Sequence, residues 1–435
     1  MNNILKPFSK KSLIPFIHLL QVLSERYFPI TPTFNETRSG VCLSVNGESY
    51  TPEELVAMVL QHAKDITAAY GTGSAIIKDC VLTVPSFYTQ HERVALINAA
   101  ELADLNVLAL IDETTASALH FGMDRKDEKP INAIFYNMGG GALQVSVITF
   151  YSYEHKETKY GKGKMVGAFE VKGKGWDSTL GGMAFDNILV NSMADEFNEQ
   201  WNKKRGDGVE KDIRNYPRPM TKLRLQANKA KQVLSANTEL PIYFDVLYDD
   251  TSYKSHITRD KFEELASDLL ARTTKPIEDA LKAANMTLED IDFVELIGGG
   301  MRVPSVQREV QKFLGDKLEL GLHINSDESM ALGSAFHGAN VSTAFRVRRV
   351  GMIDVNPFPI KVALSDMEEE GTSGWFGSSN KKDSEEVEEV WSKEATIFKS
   401  FGRVGVKKTI AFTHDKDVNC AMSYAESDVL PEGTE

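Results

Sequence analysis

The sequence predicts an α/β fold in which strands and helices alternate around a largely parallel sheet, and three observations carry that expectation. From Asp79 onward the pattern runs strand (Cys80 to Val84), helix (Thr89 to Asp104), strand (Val107 to Ile111), helix (Glu113 to Gly122). Short connections between such segments are the signature of a βαβ unit with helices on the sheet faces. Next come two β-branched and aromatic runs, Ile131 to Tyr136 and Leu143 to Phe150, joined by Met138-Gly139-Gly140-Gly141-Ala142. Far downstream, the apolar strand Phe293 to Ile297 feeds Gly298-Gly299-Gly300-Met301-Arg302-Val303 and a helix opened by Pro304. Three consecutive glycines exceed what a turn needs. They let a ligand approach the backbone and leave N–H groups free to face an anion. One cluster alone reads as a plain hairpin; two, each at a strand end, point to a shared anion site.

Composition sets the bounds. A chain of 435 residues is too long for one ordinary core, so two or three domains are expected. A net charge of −13 argues against a nucleic-acid surface. Cys42, Cys80 and Cys420 are far apart and odd in number, which fits buried free thiols rather than a disulfide framework or zinc site. No run reaches the roughly 18 apolar residues of a membrane helix, so no membrane insertion is expected. Lys6, Lys10 and Lys11 precede LIPFIHLLQVL, but His18 and Gln21 interrupt that run and no cleavage site follows. It reads as an internal amphipathic helix rather than a signal peptide.

The remaining elements follow in order. A helix is expected near Leu13 to Tyr27, and a strand at Val41 to Val45 before the Asn46-Gly47 turn. Thr51-Pro52-Glu53-Glu54 is a capping box with proline at the first helical position. Leu55, Val59, His62 and Ile66 then share the apparent core face, which makes His62 a packed histidine, and Gly71 ends the helix. Glu113 stands at a strand's C-terminal end, where α/β sheets place ligands, though glutamate also favours a helix N-terminus. Tyr153 to Lys174 is rich in Lys and Gly and reads as a hairpin excursion. Gly181-Gly182 opens a helix to Trp201, either as a phosphate contact or as an ordinary loop-to-helix joint. Met220 to Leu234 is a basic helix, followed by strands at Leu240 to Leu247 and Tyr253 to Ile257 and a helical region broken by Pro276. Ser326-Asp327-Glu328 caps a small-residue helix through Ala339. Beyond it lie β-like runs at Gly351 to Leu364, Ala395 to Phe412 and Val418 to Tyr424. The acidic, Gly/Ser-rich interval 365–394 reads as a disordered loop.

These motifs in this order resemble the actin-like (ribonuclease H-like) ATPases, and most closely the 70-kilodalton heat-shock chaperone family. The stretch VLTVPSFYTQHERVALINAAELADLNVLALIDETTASALHFG resembles that family's VTVP–helix–NEPTAAA segment. VELIGGGMRVPSVQ resembles its adenosine loop, and INSDESMALGSA the helix that follows. TPEELVAMVLQHAK, the NMG form of the hairpin, KQVLSAN and FRVRRVG are similar to the large endoplasmic-reticulum branch, the hypoxia-upregulated (170-kDa glucose-regulated) proteins. The resemblance spans about residues 40–345. It implies a two-lobed ATPase domain, with a partial first lobe at 1–130, a second lobe at 131–344 and a linker at 345–350. A partial β-sandwich substrate-binding domain would follow at 351–435.

Carried over position by position, the resemblance implies ATP or ADP as cofactor. Gly139, Gly140 and Gly141 would hold the β- and γ-phosphates, with Gly181 and Gly182 facing them. Lys231 and Ser235 would contact the adenosine, Gly298, Gly299 and Arg302 would close the pocket, and Asp327 would lie behind. Glu113 aligns with the catalytic-site glutamate. The departures concern metal and water. The family's hairpin begins with an Asp that helps hold hydrated Mg2+, and Asn137 stands there; a neutral amide is a weaker magnesium partner than a carboxylate. The loop hydroxyl is Ala142, a further Asp is Gln144, and adenosine-contacting Glu and Arg positions are Asn228 and Gln232. The family's first phosphate hairpin would lie before Met1. The resulting expectation is an ATP/ADP-binding, stress-response chaperone that assists folding of unfolded client proteins in the endoplasmic reticulum, with weak or absent hydrolysis and magnesium poorly provided for. Two other readings stand beside it: a non-catalytic nucleotide exchange factor for a 70-kilodalton chaperone, and an inactive truncated gene product. A sugar kinase of the same superfamily would need an Asp beside a substrate cleft, which nothing marks.

Overall fold

The computed structural model describes residues 30–35, 38, 40–45, 47–71, 77–125, 128–156, 163–206, 210–344, 346–366, 391–415, 417–425 and 430. The helix expected at 13–27 lies outside them. The chain divides into two units, Met1–Asp354 and Val355–Glu435.

The first unit opens on an antiparallel sheet of β1 (Thr31–Asn35), β2 (Gly40–Val45) and β3 (Glu48–Tyr50). Helix α1 (Pro52–Tyr70) starts where the capping box predicts. The Glu54 N–H donates to Thr51 Oγ1 at 3.2 Å, and the Thr51 N–H donates to the Glu54 carboxylate at 2.7 Å. Its buried face differs from the expected one. Val59 and Ile66 are exposed, as is His62, while Ala57 and Leu60 pack on Ala100 and Ala103. Small alanines on both helices allow a close approach that the larger apolar side chains would block.

Strands β4 (Asp79–Val84) and β5 (Asn106–Asp112) pair in parallel across α2 (Gln90–Leu102), which is the predicted βαβ unit. Helix α3 (Glu113–Gly122) follows β5 directly. The hairpin is β6 (Ile131–Met138) and β7 (Leu143–His155), and β8 (Lys164–Asp177) extends it. After α4 (Gly182–Arg205) and α5 (Pro217–Ala236) come the hairpin β9 (Glu239–Tyr248) and β10 (Thr251–Thr258). Three short helices follow: α6 (Arg259–Leu265), α7 (Ser267–Ala271) and α8 (Lys275–Ala284). Pro276 sits in the first turn of α8, where a missing N–H is harmless, so it starts a helix rather than breaking one. The unit continues with β11 (Phe293–Ile297), α9 (Pro304–Leu314), β12 (Leu320–Gly321), α10 (Ser329–Val341) and β13 (Gly351–Ile353).

The main sheet is mixed, in the order β12-β11-β6-β7-β8-β13. Strands β12, β11 and β6 are parallel, β6-β7-β8 are antiparallel, and β13 joins β8 in parallel. Residues 351–353, which the sequence placed with the β-rich tail, therefore form an edge of this sheet. One continuous core backs it, with Tyr136, Phe197, Trp201 and Tyr253 fully buried or nearly so. Their polar tips are satisfied: Trp201 Nε1 donates to Asp249 at 3.0 Å and the Tyr136 hydroxyl to the Thr273 carbonyl at 3.0 Å.

The second unit pairs β15 (Ile360–Asp366) with β16 (Ser392–Phe398) and β18 (Val418–Tyr424), and β14 (Val355–Asn356) with β17 (Gly402–Arg403). Residues 365–366 and 392–394, assigned by the sequence to the acidic loop, are thus strand; 367–390 lie outside the described residues. The strand expected to run to Phe412 ends at Phe398. Cys42 is buried as expected, whereas Cys420 is exposed.

Candidate nucleotide site

The parallel pairing of β6 with β11 sets Ile297 beside Asn137, so both glycine clusters leave the same end of the sheet. Gly298 takes φ +84°, and a Cβ there would strike the Met138 carbonyl. Only glycine lets the second cluster lie this close to the first. The hairpin turn is closed by the Gly139 N–H on the Ala142 carbonyl at 3.0 Å. Helix α4 is then docked onto that turn: the Gly182 N–H donates to the Gly139 carbonyl at 2.9 Å and the Met183 N–H to the Gly140 carbonyl at 2.8 Å. Those two bonds satisfy helix N-terminal amides that would otherwise be orphaned.

A cavity of about 480 Å³ opens between these parts. Of the sequence-predicted residues, Gly139, Gly140, Gly182, Lys231, Ser235, Gly299 and Arg302 line it. Gly141, Gly181 and Gly298 shape the wall from behind without lining it. Asp327 pairs with Arg302 at 2.5 Å. Asn228 and Gln232, noted only as departures, also line the cavity. Asp186 was missed altogether. Its carboxylate takes Lys231 Nζ at 2.8 Å and Asn228 Nδ2 at 3.0 Å, while Lys231 also donates to the Gly182 carbonyl at 2.9 Å. The signal was available: Asp186 stands one helical turn past Gly182, on the face a glycine helix start presents to its ligand.

Glu113 is not a lining residue. It sits behind the hairpin, where one of its oxygens, Oε2, accepts Asn137 Nδ2 at 2.8 Å and Gln144 Nε2 at 2.7 Å. Asn137 and Gln144 are register partners on β6 and β7 and both are buried, which is why their amides converge. Burial pushes the Glu113 carboxyl up from its usual range, against the two amide donors; the Asp112 charge adds to the rise.

Magnesium, which the family resemblance implies, needs oxygen donors and is commonly held through one or two carboxylates. Asn137 and Gln144 turn N–H groups, not oxygens, toward Glu113, so these residues do not fit the ion. Among the described residues no group of three His, Cys, Asp or Glu side chains could hold a metal.

The site is thus a cavity in a mixed α/β unit, set between two strand-end glycine clusters, a helix N-terminus and a basic helix. The Hsp70 family model, described as Hsp70 protein, matches residues 27–385, and the chain belongs to the Hsp70 family. The ATPase domain of that family is an actin-like two-lobed α/β fold. The chain is 36% identical over 424 residues to Heat shock 70 kDa protein 17 of Arabidopsis thaliana, a match covering 97% of this chain and 45% of that one. It is 35% identical over 399 residues to Hypoxia up-regulated protein 1 of Homo sapiens, covering 91% and 37%. With the Xenopus tropicalis protein of the same name it shares 38% over 346 residues, covering 78% and 51%. The chain thus spans about half, or less, of these relatives' own length. Among the described residues, no helix is long and apolar enough to cross a membrane.

Proposed function

We propose that this chain binds ADP or ATP in the cavity between its glycine clusters and acts as a chaperone toward unfolded client proteins, with little or no hydrolysis. The cavity carries the reading: about 480 Å³, floored by Gly139, Gly140 and Gly182, and edged by Lys231, Ser235 and Arg302. With the Gly139, Gly182 and Met183 amides spent on the turn, the attraction for an anion comes from the helix dipole at the start of α4, the Gly140 amide and Lys231. Gly139, Gly140 and Gly182 would take the phosphate end. Ser235, Gly299 and Arg302 would take the nucleoside, with Lys231 held ready by Asp186. Weak turnover follows from Asn137, Ala142 and Gln144, which stand where the resemblance expects two carboxylates and a hydroxyl, and from the engagement of Glu113 Oε2 by two of those side chains. The endoplasmic-reticulum setting rests on resemblance to the large branch alone. A role as a nucleotide exchange factor for a 70-kilodalton chaperone is the second reading, favoured by the same loss of hydrolytic residues.

Gly299 provides the test. A Cβ there meets nothing within 4 Å, so the side chain of Gly299→Trp starts into open space at the cavity's edge, where its bulk competes with a ligand. Calorimetric titration with ADP should show at least tenfold weaker binding, about 1.4 kcal/mol, for the variant. Stability should change by no more than about 0.5 kcal/mol. Equal ADP affinity in the two proteins would place the nucleotide elsewhere. A phosphate-release assay on the unmodified chain checks turnover; steady ATP hydrolysis would refute the non-hydrolytic half.

A further inference from the structure

We propose that the cavity takes adenine nucleotides without a divalent cation, because Asn137 and Gln144 already do for Glu113 what a hydrated metal would do. The proposal rests on the nucleotide reading above and goes beyond it to the form of the ligand.

The orientation of both amides is fixed by their surroundings. Gln144 Oε1 accepts the buried Ser86 N–H at 2.7 Å. Turning the amide over would set an NH2 against that N–H, so its donor end must face Glu113. Asn137 is 1% exposed, and turning it over would set its oxygen against the Glu113 oxygen. Two N–H groups therefore meet one carboxylate oxygen, in a site where an uncompensated charge is expensive. A magnesium ion drawn to Glu113 would find Oε2 already taken by both amides and would have only Oε1 to bind, one donor where the ion calls for several.

Asn137 Oδ1 is the group a cation could still seek. It is buried without a hydrogen-bond partner and lies 2.8 Å from where a Gly298 Cβ would stand. One neutral oxygen wedged against backbone is not a magnesium site, which calls for near-octahedral oxygen donors. The lining cations are balanced as well, Lys231 by Asp186 and Arg302 by Asp327. The amide of Gly140, which lines the cavity, donates to no backbone carbonyl among the described residues, which leaves it to meet a phosphate oxygen directly.

The experiment titrates ADP calorimetrically into the full chain in EDTA and again in excess magnesium. The two dissociation constants should agree within about threefold. Melting of the nucleotide-free chain should be unmoved by magnesium. Asn137→Asp sets a second carboxylate against Glu113. That variant should melt lower in EDTA, recover with magnesium, and gain a magnesium dependence of about tenfold or more in ADP binding. Tightening of about tenfold or more by magnesium in the unmodified chain overturns this proposal alone. So does a magnesium-induced rise in its melting temperature. No ADP binding in either buffer overturns the nucleotide reading and this proposal with it.

Discussion

Replacing Lys174 by methionine should cost about 3–5 kcal/mol of folding stability, read as a shift in the denaturant midpoint. Lys174 is on β8 and is 1% exposed. Its ammonium lies 2.5 Å from Asp112 and 2.6 Å from Asp354, and Asp112 also takes Arg93 at 3.1 Å. The Thr115 hydroxyl donates to Asp354 at 2.8 Å. A buried pair of this kind adds little over a well-packed apolar substitute, but removing one partner strands the others in low dielectric. Here one deletion takes the buried cation from two carboxylates at once, leaving Asp112 with Arg93 and Asp354 with the Thr115 hydroxyl. Asp112→Asn added to Lys174→Met should recover part of the loss, and the two changes should be strongly non-additive. Additive effects would mean that the lysine does not balance Asp112.

The pH dependence has a definite sign. Burial raises the Asp112 carboxyl, but Lys174 and Arg93 outweigh it and hold the group below its ordinary range. Its stabilisation is therefore fully present above the unfolded pKa of about 3.9 and is lost as pH falls through the folded value. Burial lowers the Lys174 ammonium, but Asp112 and Asp354 outweigh it and hold it above its ordinary range. That contribution is present below the unfolded value of about 10.4 and is lost only as pH rises through the folded one. The gap between the parent and Lys174→Met should be widest at neutral pH and shrink below about pH 4. A gap unchanged into acid would show that the lysine acts through packing alone.

Lys174 also marks where the sequence stops being legible. The Lys- and Gly-rich stretch 153–174 reads only as a hairpin excursion, and nothing local says that Asp112 and Asp354 will meet Lys174. By contrast, the βαβ unit, the capping box at Thr51 and both glycine clusters declare themselves through short-range pattern, and each forms in place. The face of α1 was misread because periodicity weighs large apolar side chains, while the contact is made by Ala57 on Ala100 and Ala103. At the candidate site, Glu113, Asn137 and Gln144 were each visible one at a time. Their convergence on one carboxylate oxygen comes from strand register, and that changes the meaning of the two amides. On the proposal above, they take the place of the metal shell rather than merely lose it.

Three glycine-to-alanine changes separate the forces that set the cavity wall. Gly298 has φ +84°, and a Cβ there would strike the Met138 carbonyl oxygen and lie 2.7 Å from its carbon. These are backbone atoms at the end of β6 and cannot swing aside. Gly298→Ala should therefore carry both the positive-φ strain and the clash, roughly 2–5 kcal/mol together. It should also weaken ADP binding, because the strain is relieved by moving one glycine cluster off the other. Gly315 has φ +74° and ψ −172° with nothing within 4 Å of an added Cβ, so Gly315→Ala should show the conformational part alone, about 1–3 kcal/mol, and leave ADP affinity intact. Gly299 has neither strain nor neighbour, and Gly299→Ala should stay within about 0.5 kcal/mol of the parent. The ordering Gly298 over Gly315 over Gly299 in chemical denaturation is the expected result. A Gly298→Ala loss no larger than that at Gly315 would show that the two glycine clusters do not need their close approach, and would remove the steric basis of the cavity.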